Sequence, residues 1–81
     1  MIKIFIADDH ALIREGVKKL LNLIDDIKLV GETSDAFEII DKLKKNKCDI
    51  IILDLSMPGK NGLDVIKEIK SIYPEIKILV M

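Results

Sequence analysis

Residues Ile50 to Gly62, IIILDLSMPGKNG, decide the fold of this 81-residue chain. The run from Ile50 to Leu53 has no polar alternation, so as a strand it must be covered on both faces, which is typical of parallel sheets in α/β folds. Asp54 stands where the run stops, and a turn with two glycines follows it. Ligands of such sheets bind outside the carboxyl ends of the strands. The pattern therefore predicts a functional carboxylate at Asp54.

A second acidic feature, the pair Asp8-Asp9, follows another β-type run, Ile2 to Ala7 (IKIFIA). After it, the spacing of apolar residues predicts a helix from Ala11 to about Ile24, with a stripe formed by Ile13, Val17, Leu20, Leu21 and Ile24. Gly16 inside this helix is expected to permit close packing on the sheet.

The remaining segments continue the alternation of strands and helices. Ile27 to Thr33 reads as a less apolar edge strand. Ser34 or Asp35 is expected to cap a second helix, whose predicted buried face comprises Ala36, Phe37, Ile39, Ile40 and Leu43. Asn61 is the expected N-cap of a third helix over Gly62 to Ile72, with Leu63, Ile66 and Ile69 inward. A fourth strand is predicted from Ile76 to Met81.

This order, β-α-β-α-β-α-β, predicts an α/β fold with right-handed crossovers and a parallel sheet covered by helices on both faces. If the first strand is central, the strand order is 2-1-3-4, the beginning of the flavodoxin-like arrangement. Its switch point lies between the first and third strands. Asp8, Asp9 and Asp54 should therefore converge at adjacent strand ends.

Composition excludes several classes of protein. The formal charge of -1, with lysines dispersed among acids, gives no long-range attraction for nucleic acid, so we expect no direct nucleic-acid partner. No apolar stretch approaches the roughly 20 residues of a membrane span, and no leader is evident, so neither a membrane partner nor secretion is expected. The single cysteine, Cys48, forms no internal disulfide and reads as a small core residue; a cytoplasmic location fits.

Three converging carboxylates repel one another unless a cation lies between them. Mg²⁺ prefers oxygen ligands and commonly binds one or two carboxylates together with phosphate oxygens. Because His10 is the only nitrogen ligand nearby, zinc is not expected. An aspartate beside Mg²⁺ can act as a nucleophile toward a phosphoryl group.

Simpler interpretations remain open for each of these residues. Asp8 and Asp9 could be helix caps or solvated loop residues, and His10 a first-turn helix residue rather than a ligand. Asp54 could equally be a solvated acid at the end of a strand. Lys60 reads as a solvated loop lysine more readily than as a phosphoryl contact.

The sequence resembles the receiver domain of two-component response regulators, closest to the LuxR-type (NarL/FixJ-like) transcriptional subfamily. The matching segments are IADDHALIREGVKKLL, the pair Gly31-Glu32, DIIILDLSMPGKNGLDVIKEIK, and the run from Pro74 to Met81. Together they cover nearly the whole chain. A strand-final acid pair, a strand-final aspartate some 45 residues later and MPGxNG form a highly specific combination.

The resemblance implies a role for each site residue. Asp54 would accept a phosphoryl group from the phosphohistidine of a sensor histidine kinase. Asp9 would ligate Mg²⁺ directly, Asp8 would assist through water, and the backbone carbonyl of Ser56 would be a further ligand. The loop that follows Asp54 would be shaped by Pro58, Gly59 and Gly62. The protein would then be a signalling module rather than an enzyme.

The resemblance also implies that residues 1–81 form a truncated receiver domain without a DNA-binding domain. The family's switch hydroxyl, fourth helix, fifth strand, its lysine and the fifth helix would lie beyond Met81. A fourth strand left as an edge, beside a partly bare sheet face, predicts a homodimer or higher oligomer.

Two rival functions remain at this stage. The chain could be a self-assembling structural fragment with an inert acidic site. It could also be a phosphohydrolase with an aspartate nucleophile, although 81 residues do not supply the separate acid/base and substrate cap that such an enzyme needs.

Overall fold

A computed structural model describes residues 1–81 as four strands and three α-helices in alternation. The strands are β1 (Ile2–Ala7), β2 (Ile27–Thr33), β3 (Ile50–Leu53) and β4 (Lys77–Val80), and the helices are α1 (Ala11–Asn22), α2 (Ile39–Lys45) and α3 (Gly62–Ile72). All pairings are parallel, and the strand order is β2-β1-β3-β4. This confirms the predicted α/β class and the predicted order 2-1-3-4.

Successive residues of the central strands point to opposite faces of the sheet, as the two-residue period of a strand requires. On one face Phe5, Ala7 and Leu53 belong to the main core, which α2 and α3 cover with Ile39, Leu43, Val65 and Ile69. On the other face a smaller cluster of Ile4, Ile6 and Ile52 packs against Val17 and Leu21 of α1. Helices therefore cover both faces, as predicted.

Helix α1 is bound loosely to the sheet. It ends at Asn22, two residues before the predicted end, and none of its residues is fully buried. Ile13 and Leu20, expected in the buried stripe, are 46% and 64% exposed. The prediction for Gly16 is wrong, since a Cβ atom at this residue would meet nothing within 4 Å.

The second helix begins later than predicted. Asp35 accepts a hydrogen bond from the main-chain N–H of Phe37 and caps a short 3-10 turn over Ala36–Glu38, after which α2 starts at Ile39. The turn rotates Phe37 out of the core, and its side chain is 61% exposed. The prediction that Phe37 is buried is therefore wrong, whereas Ala36, Ile39 and Leu43 are buried as expected.

Helix α3 has the predicted bounds, and Asn61 caps it by accepting a hydrogen bond from Leu63 N–H at 2.8 Å. Its buried residues are Val65 and Ile69, while Leu63 is 62% exposed. The prediction that Leu63 faces inward is therefore wrong. Strand β4 is one residue shorter at each end than predicted, and the buried Ile76 precedes it. No helix has the length and apolar character needed to cross a membrane.

Candidate acidic phosphoacceptor and metal site

The carboxyl ends of β1 and β3 lie side by side and place the acidic residues. Beyond the last strand residues, Asp8 N–H donates to Thr33 O at 3.1 Å and Asp54 N–H donates to Ala7 O at 2.9 Å. Main-chain pairing thus continues one step past each strand and fixes both aspartates at one end of the sheet. Their side chains are 2% and 10% exposed.

The chain turns sharply after Asp8. Its Oδ1 accepts a hydrogen bond at 2.8 Å from the main-chain N–H of His10, the residue that precedes α1. A side-chain acceptor two residues back is the usual way for aspartate to initiate a turn. The turn directs the His10 ring back toward the strand ends.

The Nδ1 atom of His10 lies among three carboxylates. It is 2.8 Å from Asp8 Oδ1, 3.1 Å from Asp9 Oδ1 and 3.3 Å from Asp54 Oδ2. One ligand atom from each of these four residues lies within 4.8 Å of the others. The structure therefore brings Asp8, Asp9 and Asp54 together and adds His10 to the group.

The electrostatics of this group favour a cation. The hydrogen bond with Asp8 and the charge of Asp9 raise the pKa of His10 above 6.5. Burial by itself raises the pKa of Asp54, but hydrogen bonds from the Ser56 side chain and main chain outweigh it and hold the pKa below 3.8. Asp54 is thus ionised at neutral pH, as a phosphoryl acceptor must be.

Ser56 orients the Asp54 carboxylate. Its main-chain N–H and its Oγ donate to Asp54 Oδ1 at 2.8 Å and 2.7 Å. These two bonds hold one oxygen of Asp54, while Oδ2 faces His10 and the other aspartates. The two carboxylate oxygens therefore have different environments.

Asp9 provides the test of whether the site fits a metal ion. Its Oδ1 is buried and accepts no hydrogen bond, although His10 Nδ1 lies 3.1 Å away, and a buried polar atom without a hydrogen bond is rare and can indicate a site for an ion or water. Carboxylate oxygens are the ligands that Mg²⁺ prefers. The donor set of Asp8, Asp9 and Asp54 fits a hard divalent cation.

The loop after Asp54 is held by close contacts. Gly59 has a φ of 94°, and a Cβ atom there would lie 2.7 Å from Cε2 of Phe37. A Cβ atom at Gly62 would lie 2.8 Å from Cβ of Leu55. Pro58, which directly precedes Gly59, is exposed. Lys60 is not a solvated lysine, because its Nζ pairs with Glu68 at 2.8 Å and lies 5.4 Å from the centre of the Phe37 ring.

A polar network connects α1 to the acidic group. Arg14 donates through Nη1 to the main-chain oxygen of Asp8 at 2.6 Å and through Nε to Glu32 at 3.2 Å. Lys18 pairs with the same Glu32 at 2.8 Å. The hydrogen bond with Lys18 outweighs burial and lowers the pKa of Glu32 below 4.5.

Sequence reasoning missed Arg14 beside the acidic group and Phe37 beside the loop after Asp54, and it favoured His10 as a first-turn helix residue rather than as a member of the group. His10 directly follows the acid pair, and that adjacency was its only signal. Arg14 lies one helical turn after His10, so its side chain returns toward the start of the helix. Phe37 gave no signal, because its contact with Gly59 and Lys60 depends on the loop path.

Comparison with known proteins decides the family. The model of the family described as "Response regulator receiver domain" matches residues 4–81. The chain belongs to the response regulator receiver domain family. Members of this family characteristically bind Mg²⁺ at an acidic cluster and are phosphorylated, and the family is regulatory.

Curated relatives of this receiver include the oxygen regulatory protein NreC of Staphylococcus haemolyticus, which is 42% identical over 81 residues. NreC of Staphylococcus carnosus is 41% identical over the same length. Each match covers 99% of this chain and 37% of the relative. The receiver therefore spans just over a third of the length of these relatives.

Solved receiver structures agree with the fold. The isolated receiver domain of RcsB from Salmonella enterica serovar Typhimurium, solved with the phosphomimetic BeF3-, is 38% identical, with a TM-score of 0.92 over 98% of this chain and 59% of that one. The non-phosphorylated receiver domain of RcsB from Escherichia coli is 37% identical, with a TM-score of 0.93 over 99% of this chain and 63% of that one.

Proposed function

We propose that Asp54 of this receiver accepts a phosphoryl group from the phosphohistidine of a sensor histidine kinase. The observation that carries the proposal is the convergence of Asp8, Asp9 and Asp54 at adjacent strand ends, with the buried Oδ1 of Asp9 lacking a partner. Family membership supports it, and so does the phosphomimetic in the structure of the RcsB receiver.

In this proposal the side chains of Asp8, Asp9 and Asp54 and the backbone carbonyl of Ser56 hold Mg²⁺. When bound, Mg²⁺ offsets the repulsion among the carboxylates and the charge on the phosphoryl oxygens. Loop shape at the site depends on Pro58, Gly59 and Gly62.

The protein's own residues prepare Asp54 for the reaction. Ser56 fixes the carboxylate through Oδ1, and the hydrogen bonds keep it ionised at neutral pH. An Asp54 oxygen then forms the P–O bond while the P–N bond of the phosphohistidine breaks. The electron pair of that bond stays on the kinase imidazole, which is the leaving group.

Intact mass spectrometry after incubation with an acyl phosphate and Mg²⁺ tests the acceptor. The wild type should gain the mass of one phosphoryl group, and Asp54→Ala should gain none. Asp41→Ala, which removes an exposed acid of α2, is the matched control and should be modified like the wild type. No adduct on the wild type, or an adduct that survives Asp54→Ala, would refute the proposal and favour a structural fragment with an inert site.

We also propose that copies of this chain associate through β4. The strand is an edge of the sheet with unpaired main-chain groups, and Leu79, Val80 and Met81 are 57%, 45% and 47% exposed. Exposed apolar edge strands pair readily with other chains. Light scattering coupled to size exclusion, over a dilution series, should show a mass above 9.2 kDa that decreases on dilution. A constant monomer mass would contradict this.

The receiver-domain family model matches residues 4–81, which is nearly the whole chain. We propose that residues 1–81 act as one cytoplasmic receiver unit, without a DNA-binding domain among them. RcsB has been solved bound to promoter DNA, and this chain matches 68% of that structure. Limited proteolysis should release no smaller stable fragment from residues 1–81 if they form one unit.

A further inference from the structure

A lysine-lined cleft lies at the opposite end of the sheet from the acidic site. Its volume is about 470 Å³, and it is formed by the start of β1, the first half of β2 and the end of α2. Lys3 in the cleft and Asp8 in the acidic group are five residues apart along β1, which corresponds to about 16 Å. The cleft and the acidic group are therefore separate sites.

Five of the eight residues that line this cleft are lysines: Lys3, Lys28, Lys44, Lys45 and Lys47. None of their ammonium groups lies within 4.0 Å of a carboxylate, whereas Lys18, Lys42 and Lys60 all form ion pairs. Asp49 accepts a hydrogen bond from Lys3, but from its main-chain N–H, at 2.8 Å. The cleft thus concentrates uncompensated positive charge in a chain whose net charge is -1.

Structural requirements explain only part of this charge. Lysines in the last turn of α2 complement the helix dipole, which accounts for Lys44 and Lys45. Lys3 and Lys28, in contrast, are direct partners on neighbouring strands. Like charges at paired positions destabilise a sheet. Lys28 on the edge strand β2 also opposes pairing between chains. Lys3 on the central strand β1 has no such role, and an anion bound between the two strands and the helix would offset the repulsion of the pair.

We propose that the cleft binds a small polyphosphorylated ligand. Lysine is a compact point charge suited to phosphate groups, and five lysines around one depression match a ligand with several adjacent negative charges. The half-buried Val30, on the same face as α2, supplies an apolar wall, and Asn46 supplies a polar group. The volume falls in the range of small-molecule sites. An acidic peptide would instead require a row of cations along an extended groove.

Isothermal titration calorimetry with inorganic tripolyphosphate in metal-free buffer tests the proposal. The wild type should bind, and the triple variant Lys28→Gln, Lys44→Gln, Lys45→Gln should bind at least about tenfold more weakly, because each lysine contributes a charge-assisted contact. The triple variant Lys19→Gln, Lys67→Gln, Lys77→Gln changes the net charge equally at exposed lysines outside the cleft. Its affinity should remain within about twofold of the wild-type value.

Circular dichroism should show both triple variants folded at the temperature of the titration, which separates loss of binding from loss of fold. Asp54→Asn should bind tripolyphosphate like the wild type, since the acidic group lies at the other end of the sheet. The proposal is overturned if the wild type does not bind, if both triple variants weaken binding equally, or if oligoglutamate of equal charge binds more tightly.

Discussion

At the scale of single residues, His10 and the proposed metal ion compete for the same oxygens. The Nδ1 atom lies 2.8–3.3 Å from three carboxylates, which is the space that a cation among them would occupy. Removal of the ring leaves those oxygens free, and it removes a positive charge when the ring is protonated. The ring thus opposes the binding of a cation by position and by charge.

We therefore expect His10→Ala to bind Mg²⁺ about three- to tenfold more tightly than the wild type. Calorimetric titration with MgCl₂ at neutral pH measures this. Asp9→Asn, which retains the side-chain shape, should bind Mg²⁺ more weakly than the wild type, whereas Asp64→Asn in the exposed first turn of α3 should have no effect. Weaker binding by His10→Ala would contradict the competition.

Two glycines of this chain should respond oppositely to substitution by alanine. At Gly59 two features oppose a side chain: the φ of 94°, and the Phe37 ring, which lies 2.7 Å from where a Cβ atom would be. Gly59→Ala should therefore lower the free energy of unfolding by about 1–3 kcal/mol. At Gly16 a Cβ atom meets nothing, so Gly16→Ala should raise it by about 0.5–1 kcal/mol. Urea denaturation of both variants checks the two signs.

At the scale of elements, α1 depends on polar contacts more than the other helices do. It has no fully buried residue, and its apolar contact with the sheet comes from Val17 and Leu21. Arg14 and Lys18 add ion pairs to Glu32 of β2. Arg14 also reaches the main chain of Asp8, so the position of α1 is coupled to the acidic site.

The ion pairs of Glu32 with Arg14 and Lys18 predict that the stability of the fold depends on pH. The pKa of Glu32 is lower in the folded protein than its ordinary value of 4.5, so its contribution to stability is complete above 4.5 and decreases as pH falls through the folded pKa. Glu32→Gln should cost about 1 kcal/mol or less at neutral pH and should lessen the acid-induced loss of stability. Thermal unfolding from pH 7 to pH 3 measures both. Glu75→Gln, at an exposed residue outside these contacts, is the control.

At the scale of the whole molecule, the two sheet faces are covered unequally. Two helices cover the face that holds Phe5, whereas α1 alone covers the other. Leu79 is paired with Ile52 in neighbouring strands and therefore projects toward the face of α1, where it is 57% exposed. The exposed apolar surface thus continues from the edge of β4 onto the sheet.

Leu79→Lys should therefore weaken the proposed self-association. A lysine on an edge strand opposes pairing between chains, and the expected result is a shift of the light-scattering mass toward 9.2 kDa at a given concentration. Leu23→Lys is the matched control, because Leu23 is 80% exposed at the end of α1, away from β4. An equal shift in both variants would mean that β4 is not the interface.

The sequence by itself determined the topology. Apolar runs alternating with helical stripes predicted a parallel sheet with helices on both faces, because parallel strands require crossovers of one hand. With the first strand central, they also predicted the order 2-1-3-4. The same reasoning predicted that Asp8, Asp9 and Asp54 would converge. The cap of α3 at Asn61 was also readable, since capping is a local interaction.

Only the tertiary structure decided the surroundings of those carboxylates. Local patterns do not specify the direction of a turn. Three features depend on such turns: the position of the His10 ring, the contact of Arg14 with Asp8, and the packing of Phe37 on Gly59. The lysine cleft has the same origin. Its residues are far apart in sequence, and they share one site because parallel pairing sets Lys3 beside Lys28 and the crossover brings the end of α2 next to both.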